Sequence, residues 1–456
     1  MTMADNNRTS LHGLWTSRWA FIMAATGSAV GLGNIWKFPY MAGENGGGAF
    51  VLVYLLCIFL IGVPIMMAEV MLGRRGRRNP VDTMKHLAAE AGRSQLWKLL
   101  GWMGIAAGFL ILSYYSVIAG WAISYIFTTG AGTFTGADAA SVGQHFDELT
   151  KSPLTLIFWH SIFMLMTMAV VVRGIEGGIE KAVRFLIPAL FVLMIVMVLY
   201  AMTTSGFAQG LHFMFTPDFS KISTEGVLAA MGQAFFTLSI GMGAIMVYGA
   251  YLPKEISIAQ TSFTIAFADT LVAILAGLVI FPIVFANGLE TGSGPGLIFV
   301  TLPLAFGNMA FGTLFGTLFF ILLVFAAWSS SISLIEPAVA WLIENKGLSR
   351  LKASMALGLL TWVIGLGTVF SFNEWSNLTV FGKTFFGLLD YLTSNIMLPL
   401  GGVLMAIFAG WLMKKAASQG ELALGASAYS IWYFLVRYVT PIAVMLVFLN
   451  AIGMFS

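Results

Sequence analysis

Two clusters of glycine fall in the middle of apolar sequence, and the chemistry they suggest is that of exposed backbone. The first is Gly27-Ser28-Ala29-Val30-Gly31-Leu32-Gly33-Asn34, inside an apolar stretch running from Trp15 to Ala42. The second is Phe235-Phe236-Thr237-Leu238-Ser239-Ile240-Gly241-Met242-Gly243. Each glycine costs roughly 1 kcal/mol relative to alanine in a helix interior, so clustered glycines predict a broken helix. In a bilayer, broken backbone survives only where protein buries it or where it lines a wet cavity. The freed N–H groups and the positive end of a half-helix suit a carboxylate. The freed carbonyls suit a cation or an ammonium group. Asn34, Thr237 and Ser239 add side-chain oxygens, the donors that a hard cation such as Na⁺ prefers. The expected occupant is a small charged solute, a zwitterion, with an ion beside it. Gly27 and Gly31 are also spaced as a small-xxx-small pair, which taken alone reads equally well as close helix packing. Gly31-x-Gly33 lacks the third glycine of a nucleotide-binding turn.

Ionisable side chains inside apolar stretches are the next candidates, since each costs about 2.5–3.5 kcal/mol on insertion scales. Asp269 is expected to serve an ion site. Glu69 is expected to accept N–H groups that a broken helix frees. Glu336 stays open between an ion site and a capped charge. Lys37 and Asp390 sit near helix ends, where they would pair as a lid or leave Lys37 solvated alone. Ala326-Ala327-Trp328-Ser329-Ser330-Ser331 offers two hydroxyls and a carbonyl to a cation, although such serines also bond back to the preceding turn. Gly178 and Pro188 weaken one half of their helix. Unwinding there would admit water to an ion site; a fixed proline kink is the alternative.

The elements that must position these residues are membrane helices. Of 456 residues, 59% are hydrophobic and 9% charged, with a mean hydropathy of +0.89, which excludes an ordinary soluble domain. Candidate spans are 15–42, 47–73, 97–128, 153–173, 178–204, 226–252, 259–287, 311–345, 350–370, 384–413 and 429–454. The expected architecture is thus an all-α polytopic membrane protein of about eleven helices and one domain, 1–456. Five spans separate the two broken helices, so the second copy enters from the opposite side. Interrupted helices in matching positions of inverted halves, here 15–204 and 226–413 with an extra helix 429–454, point to a secondary-transporter site. Loop 129–152 reads as an ordinary extracellular connection, and loop 288–309, with Gly292, Gly294, Pro295 and Gly296, as too broken and too short to span, folding over the outer face. No signal peptide is expected at the N-terminus.

Basic residues concentrate in alternate loops, at Arg74, Arg75, Arg77, Arg78, Lys85 and Arg93, at Arg173 and Lys181, at Lys254, at Lys346, Arg350 and Lys352, and at Lys414 and Lys415. The positive-inside rule then puts the N-terminus in the cytoplasm and the C-terminus outside. Net charge of +3 suggests no nucleic-acid partner. Five scattered histidines lack metal-ligand spacing. The single cysteine, Cys57, excludes an intramolecular disulfide. No nucleophile–base pair supports an enzyme.

These residues, together with Glu44-Asn-Gly-Gly-Gly-Ala-Phe50, Gln233-Ala-Phe-Phe-Thr-Leu-Ser239 and Thr216-Pro-Asp-Phe219, give the chain a resemblance to the neurotransmitter:sodium symporter family. The similarity runs from about Trp15 to the end and is strongest to bacterial amino-acid members. It implies the LeuT-type fold, a 5+5 inverted repeat with discontinuous helices 1 and 6, and Na⁺-coupled amino-acid uptake across a prokaryotic inner membrane. One Na⁺ site would use Ala29, Asn34, Thr237 and Asp269. The other would use Gly27, Val30, Ala326, Ser329 and Ser330. The substrate carboxylate would meet Leu32, Gly33 and Tyr115, beside Gly31, Thr237 and Ser330. Its side chain would face Ile111, Phe236, Ser239, Met242 and Leu334. Tyr115 and Phe236 would form the outer lid, below Lys37 and Asp390.

The chain's departures from the family pattern carry expectations of their own. Monoamine members have Asp where Gly31 stands, so Gly31 argues for an amino acid. Met242 is flexible and polarizable, which implies large apolar or aromatic substrates. Asp269 supplies a fixed negative charge where many animal members need chloride, which implies chloride independence. Lys37 replaces an Arg and cannot make the same bidentate fork. His12 falls where the inner gate has Arg, leaving Arg8 as the substitute partner of Glu344. Proton coupling through Asp269 or Glu336, and a sensor or channel that binds without accumulating solute, are the rival readings. An oligomer is possible but not required.

Overall fold

The computed structural model describes residues 14–289 and 296–454. Among these, nine helices are long and apolar enough to cross a membrane. They are the second span (Gly48–Gly76), third (Gln95–Gly130), fourth (Pro153–Val171), fifth (Ile175–Met202), seventh (Ile258–Ala286), eighth (Gly312–Lys346), ninth (Arg350–Ser371), tenth (Phe385–Leu412) and eleventh (Ala426–Ala451). The first and sixth crossings are broken, each into two helical pieces.

The first begins where the Ser17 hydroxyl caps Arg18–Ala29 by accepting from Ala20 N (3.1 Å). The chain leaves the helix at Val30, which is extended, and resumes as a wide turn at Gly33–Lys37 followed by Phe38–Glu44. The sixth runs from Thr224 to Thr237, breaks, and resumes at Ala244–Ala250. Its break needs left-handed backbone at Gly241 (φ +90°) and Gly243 (φ +74°), which glycine adopts without steric cost. Ser239 shares that conformation at φ +54°, a strained setting for a side chain with a Cβ.

Glycine also sets the helix packing. A Cβ on Gly249 would stand 2.7 Å from Val70 O, so the second half of the sixth span lies directly on the second span. A Cβ on Gly108 would stand 2.7 Å from Leu334 O, bringing the third and eighth spans equally close. The second, third, seventh and eighth spans are accordingly the most deeply buried and enclose the broken pair. The eleventh is the least buried.

The fifth span is wound throughout, with a wide turn at Ile175–Ile179 and a continuous helix across Pro188. Gly178 packs against Val170 O and Arg173 so tightly that a Cβ there would collide.

One connection is more ordered than the sequence suggested. Loop 129–152 is not a plain connection: it contains the helix Ala139–Lys151, capped by Asp138 and anchored by buried Val142 and Leu149. Loop 288–309 contains a helix over 297–307, too short to span, while Gly292, Gly294 and Pro295 lie outside the described residues. Shorter helices also occupy Pro80–Glu90, Phe207–Phe215 and Lys415–Leu422. Each is too short or too polar to register as a span.

Candidate functional site

Both breaks open onto one cavity of about 260 Å³. All eleven residues expected at a substrate line it: Gly31, Leu32, Gly33, Ile111, Tyr115, Phe236, Thr237, Ser239, Met242, Ser330 and Leu334. The sequence reading missed Ser28, Trp36, Tyr40, Tyr114, Ile118 and Phe386. Trp36 and Tyr40 had a signal: they lie one helical turn apart, next to Lys37.

The floor of the cavity is hydrogen-bonded backbone. Leu32 N donates to Tyr115 Oη (3.4 Å), a long bond for a buried amide. Gly31 N donates to Asn34 Oδ1 (2.9 Å). Gly33 O accepts from Gln233 Nε2 (2.8 Å), and Ser28 O from Ser239 Oγ (2.8 Å). The loop at 30–33 is thus fixed by neighbours from the third and sixth spans. A Cβ at Gly31 would lie 2.6 Å from Ser330 Oγ and 2.9 Å from Tyr115 Oη.

Beside it lies a cluster of oxygens. Asn34 Nδ2 donates towards Asp269 Oδ1 (2.7 Å), Thr237 Oγ1 (2.9 Å) and Asp269 O (3.1 Å). Thr237 Oγ1 lies 3.1 Å from Asp269 Oδ2. All three side chains are buried, and Asp269 is 0% exposed. A buried carboxylate must be paired or neutralised, and within the described residues its side-chain partners are this amide and this hydroxyl. Three oxygens converging on one point within 3.1 Å form a site suited to a small cation. Ala29 lines the adjacent cavity wall.

The second cluster joins the first and eighth spans. Ser330 Oγ donates to Val30 O (2.9 Å) and Gly27 O (3.2 Å), and Ser329 Oγ to Ala326 O (3.0 Å). A Cβ on Gly27 would stand 3.1 Å from Ser329 Cβ. The five residues expected at a second cation site therefore meet at one junction. Close packing by Gly27 and backbone opening at Gly31 coexist in the same segment.

Glu69 does what its place in the sequence suggested. Its two carboxylate oxygens accept Gly241 N (3.1 Å) and Met246 N (3.3 Å), donors that the broken sixth span leaves free. Glu336, open in the sequence, is a capped charge: Arg350 grips both of its oxygens (3.0 and 2.5 Å) and Tyr251 Oη approaches at 3.4 Å.

At one end of the cavity the expected Lys37–Asp390 pair is not made. Lys37 Nζ lies 4.1 Å over the Phe236 ring. Asp390 Oδ1 instead accepts from Ser394 Oγ (2.9 Å) and Tyr114 Oη (3.4 Å). An aromatic face holds the ammonium, hydroxyls hold the carboxylate, and the cavity passes between them. The opposite end is closed. Trp15, 2% exposed, donates its backbone N to Tyr251 O (3.1 Å) and its indole N to Tyr248 O (3.0 Å). Thr16 and Arg184 both bind the Glu180 carboxylate. The sequence reading missed this plug. Of the inner-gate candidates, Arg8 and His12 lie outside the described residues. Glu344 accepts from Asn79 N (3.0 Å) and Asn79 Nδ2 (2.9 Å).

The chain is similar to known proteins both in sequence and in overall fold. The chain matches the sodium:neurotransmitter symporter family over residues 12–139 and 133–456. It is 40% identical to YhdH, a sodium-dependent transporter of Bacillus subtilis, over 97% of this chain and 98% of the relative. It is 23% identical to the human sodium- and chloride-dependent GABA transporter 2, over 97% of this chain and 80% of the relative. Among solved structures, MhsT in complex with L-phenylalanine superposes with a TM-score of 0.89 at 43% identity, covering 96% of this chain and 99% of that one. The LeuT-type fold, the membrane-spanning architecture and the use of sodium follow from these matches together with the helices described above. The chain belongs to the sodium:neurotransmitter symporter family, a family of transporters and not of enzymes.

Proposed function

We propose that this symporter takes up apolar and aromatic L-amino acids with two Na⁺ ions by alternating access, and that it needs no chloride. The observation that carries this reading is the non-helical backbone of 30–33 in the cavity wall, with Leu32 N held only by a long bond to Tyr115 Oη, next to the Asn34–Thr237–Asp269 cluster. An amino-acid carboxylate would accept from the Leu32 and Gly33 N–H groups and from Tyr115 Oη, completing bonds that are long or missing. Its side chain would rest on Ile111, Phe236, Met242 and Leu334, an apolar lining with an adaptable methionine. MhsT holds L-phenylalanine, which supports an aromatic substrate here.

One Na⁺ would take the point now filled by Asn34 Nδ2; rotating that amide would present Oδ1 as a further ligand beside Ala29, Thr237 and Asp269. The second would bind Gly27 O, Val30 O, Ala326 O and the hydroxyls of Ser329 and Ser330. The carboxylate of Asp269 would supply the negative charge for which chloride-dependent members recruit an anion. Closure would bring Tyr115, Phe236, Lys37 and Asp390 together over the substrate. Release would loosen the Trp15 plug and unwind the fifth span between Gly178 and Pro188. The inverted halves 15–204 and 226–413 would rock about the site, with the N-terminus cytoplasmic.

Two assays on proteoliposomes test this reading. Phenylalanine, tryptophan and leucine should displace labelled leucine, whereas glycine and glutamate should not. Replacing chloride by gluconate should leave Na⁺-driven uptake unchanged. Loss of uptake without chloride removes the role given to Asp269. Glycine competing as well as phenylalanine removes the substrate class.

A further inference from the structure

The face formed by the tenth and eleventh spans holds cations with no anion. The Arg437 guanidinium stands 4.1 Å from the Trp411 ring and 5.5 Å from the rings of Tyr433 and Tyr438. Its Nη1 donates to Tyr433 Oη (3.0 Å), while its Nε is buried without a hydrogen-bond partner. Lys415 Nζ lies 5.4 Å from the same Tyr433 ring and 5.9 Å from that of Tyr429. Among the described residues neither cation has a carboxylate within 4 Å. Elsewhere the chain does pair such groups: Arg74 with Glu421 at 2.6 Å and Arg350 with Glu336 at 2.5 Å.

The level in the membrane is also set. Trp411 Nε1 donates to Arg437 O (2.9 Å), which aligns Arg437 with the last turn of the tenth span, next to the connection that carries Lys415. Trp411 is 48% exposed and Tyr438 43% exposed. The Trp411 ring is exposed at the end of the tenth span and the Tyr438 ring on the eleventh, the least buried span, as aromatic residues are at the lipid headgroup boundary. Ring faces attract a cation but leave its charge uncancelled. A charge near the bilayer seeks an anion at the interface. The rings and the bond to Tyr433 hold the guanidinium in place with its Nε turned inward, which leaves the Nη end to donate, and a phosphate is an anion that two such charged donors match.

We propose that Arg437 and Lys415, on either side of Tyr433 in sequence and backed by Trp411, bind the phosphate of an anionic phospholipid in the leaflet bordering the tenth-to-eleventh connection.

Native mass spectrometry of the purified transporter with phosphatidylglycerol and phosphatidylethanolamine of matched chains reads this directly. The wild type should retain phosphatidylglycerol over phosphatidylethanolamine. Arg437→Gln should weaken phosphatidylglycerol retention about tenfold or more, the scale of a lost charge-assisted bond. Lys415→Gln, in an exposed connection where folding is not at stake, should weaken it several-fold. Arg437→Lys should fall between, keeping the charge and losing the guanidinium donors. Na⁺-dependent uptake should survive in each variant, which separates loss of lipid from loss of fold. The proposal is overturned if both Gln variants hold phosphatidylglycerol like the wild type, or if the wild type holds the two lipids equally. It is also overturned if Arg437→Gln converts a dimer to a monomer, since a second copy would then cover this face.

Discussion

Substituting Gly31 by alanine would probe both halves of the site at once. The added Cβ would fall 2.6 Å from Ser330 Oγ and 2.9 Å from Tyr115 Oη. Both hydroxyls would have to retreat by several tenths of an ångström. Neither is free to do so. Ser330 Oγ is bonded to Val30 O (2.9 Å) and Gly27 O (3.2 Å), at the proposed second Na⁺ site. Tyr115 Oη already holds Leu32 N at the long limit of 3.4 Å, at the proposed carboxylate contact. Overpacking of this kind costs about 1–3 kcal/mol, or roughly five- to 150-fold in an affinity. Equilibrium binding of labelled leucine at varied Na⁺ measures it. Both the substrate Kd and the half-saturating Na⁺ concentration should rise within that range. Gly143→Ala is the control, since a Cβ there meets nothing within 4 Å. Gly31→Ala with both constants within twofold of the wild type would refute the geometric argument.

Three further outcomes follow from ionisable groups inside the fold. Glu69→Gln keeps one acceptor for two freed amides, Gly241 N and Met246 N. A buried donor left unsatisfied costs about 1–3 kcal/mol, so leucine affinity should fall by roughly fivefold or more, and an unchanged affinity would separate Glu69 from the break. Arg350→Ala strands Glu336 in the core. It should lower unfolding stability in detergent by about 3–5 kcal/mol, the usual cost of breaking a buried pair; a loss below about 1 kcal/mol would contradict that. His145, on the helix Ala139–Lys151, packs edge-on to Tyr125 and Phe134, and burial holds its pKa below the ordinary imidazole value. The folded state therefore favours the neutral ring. This contribution is fully present above the unfolded pKa near 6.5 and is lost as pH falls from there through the lower folded pKa. Hydrogen exchange corrected for intrinsic rate should show 139–151 losing protection between pH 7.5 and 5.5, and constant protection would remove the role of His145.

What was legible in the sequence depended on locality. The two breaks were legible because glycine and proline act on their own stretch of chain, and so was the role of Glu69, a lone carboxylate that could be answered only by free amides. The set Asn34, Thr237 and Asp269 comes from three separate helices, and residue spacing alone does not assemble it; the family resemblance did. Lys37 stacks on Phe236, about two hundred positions away, instead of meeting Asp390. The Trp15 plug was hidden for a similar reason, since Trp15 reads as the start of an apolar span and its partners are backbone carbonyls of Tyr248 and Tyr251. The short helix Ala139–Lys151 did have a local signal, the Asp138 cap before an amphipathic run. A search tuned to long apolar segments passes over such a helix.

The central claim is that Na⁺ drives an amino acid through the cavity between the two breaks. Uptake of radiolabelled leucine and tryptophan into proteoliposomes, with an inward Na⁺ gradient or with K⁺ in its place, tests it most directly. Concentrative uptake is expected with Na⁺ and none with K⁺. Equal uptake in the two salts would contradict it.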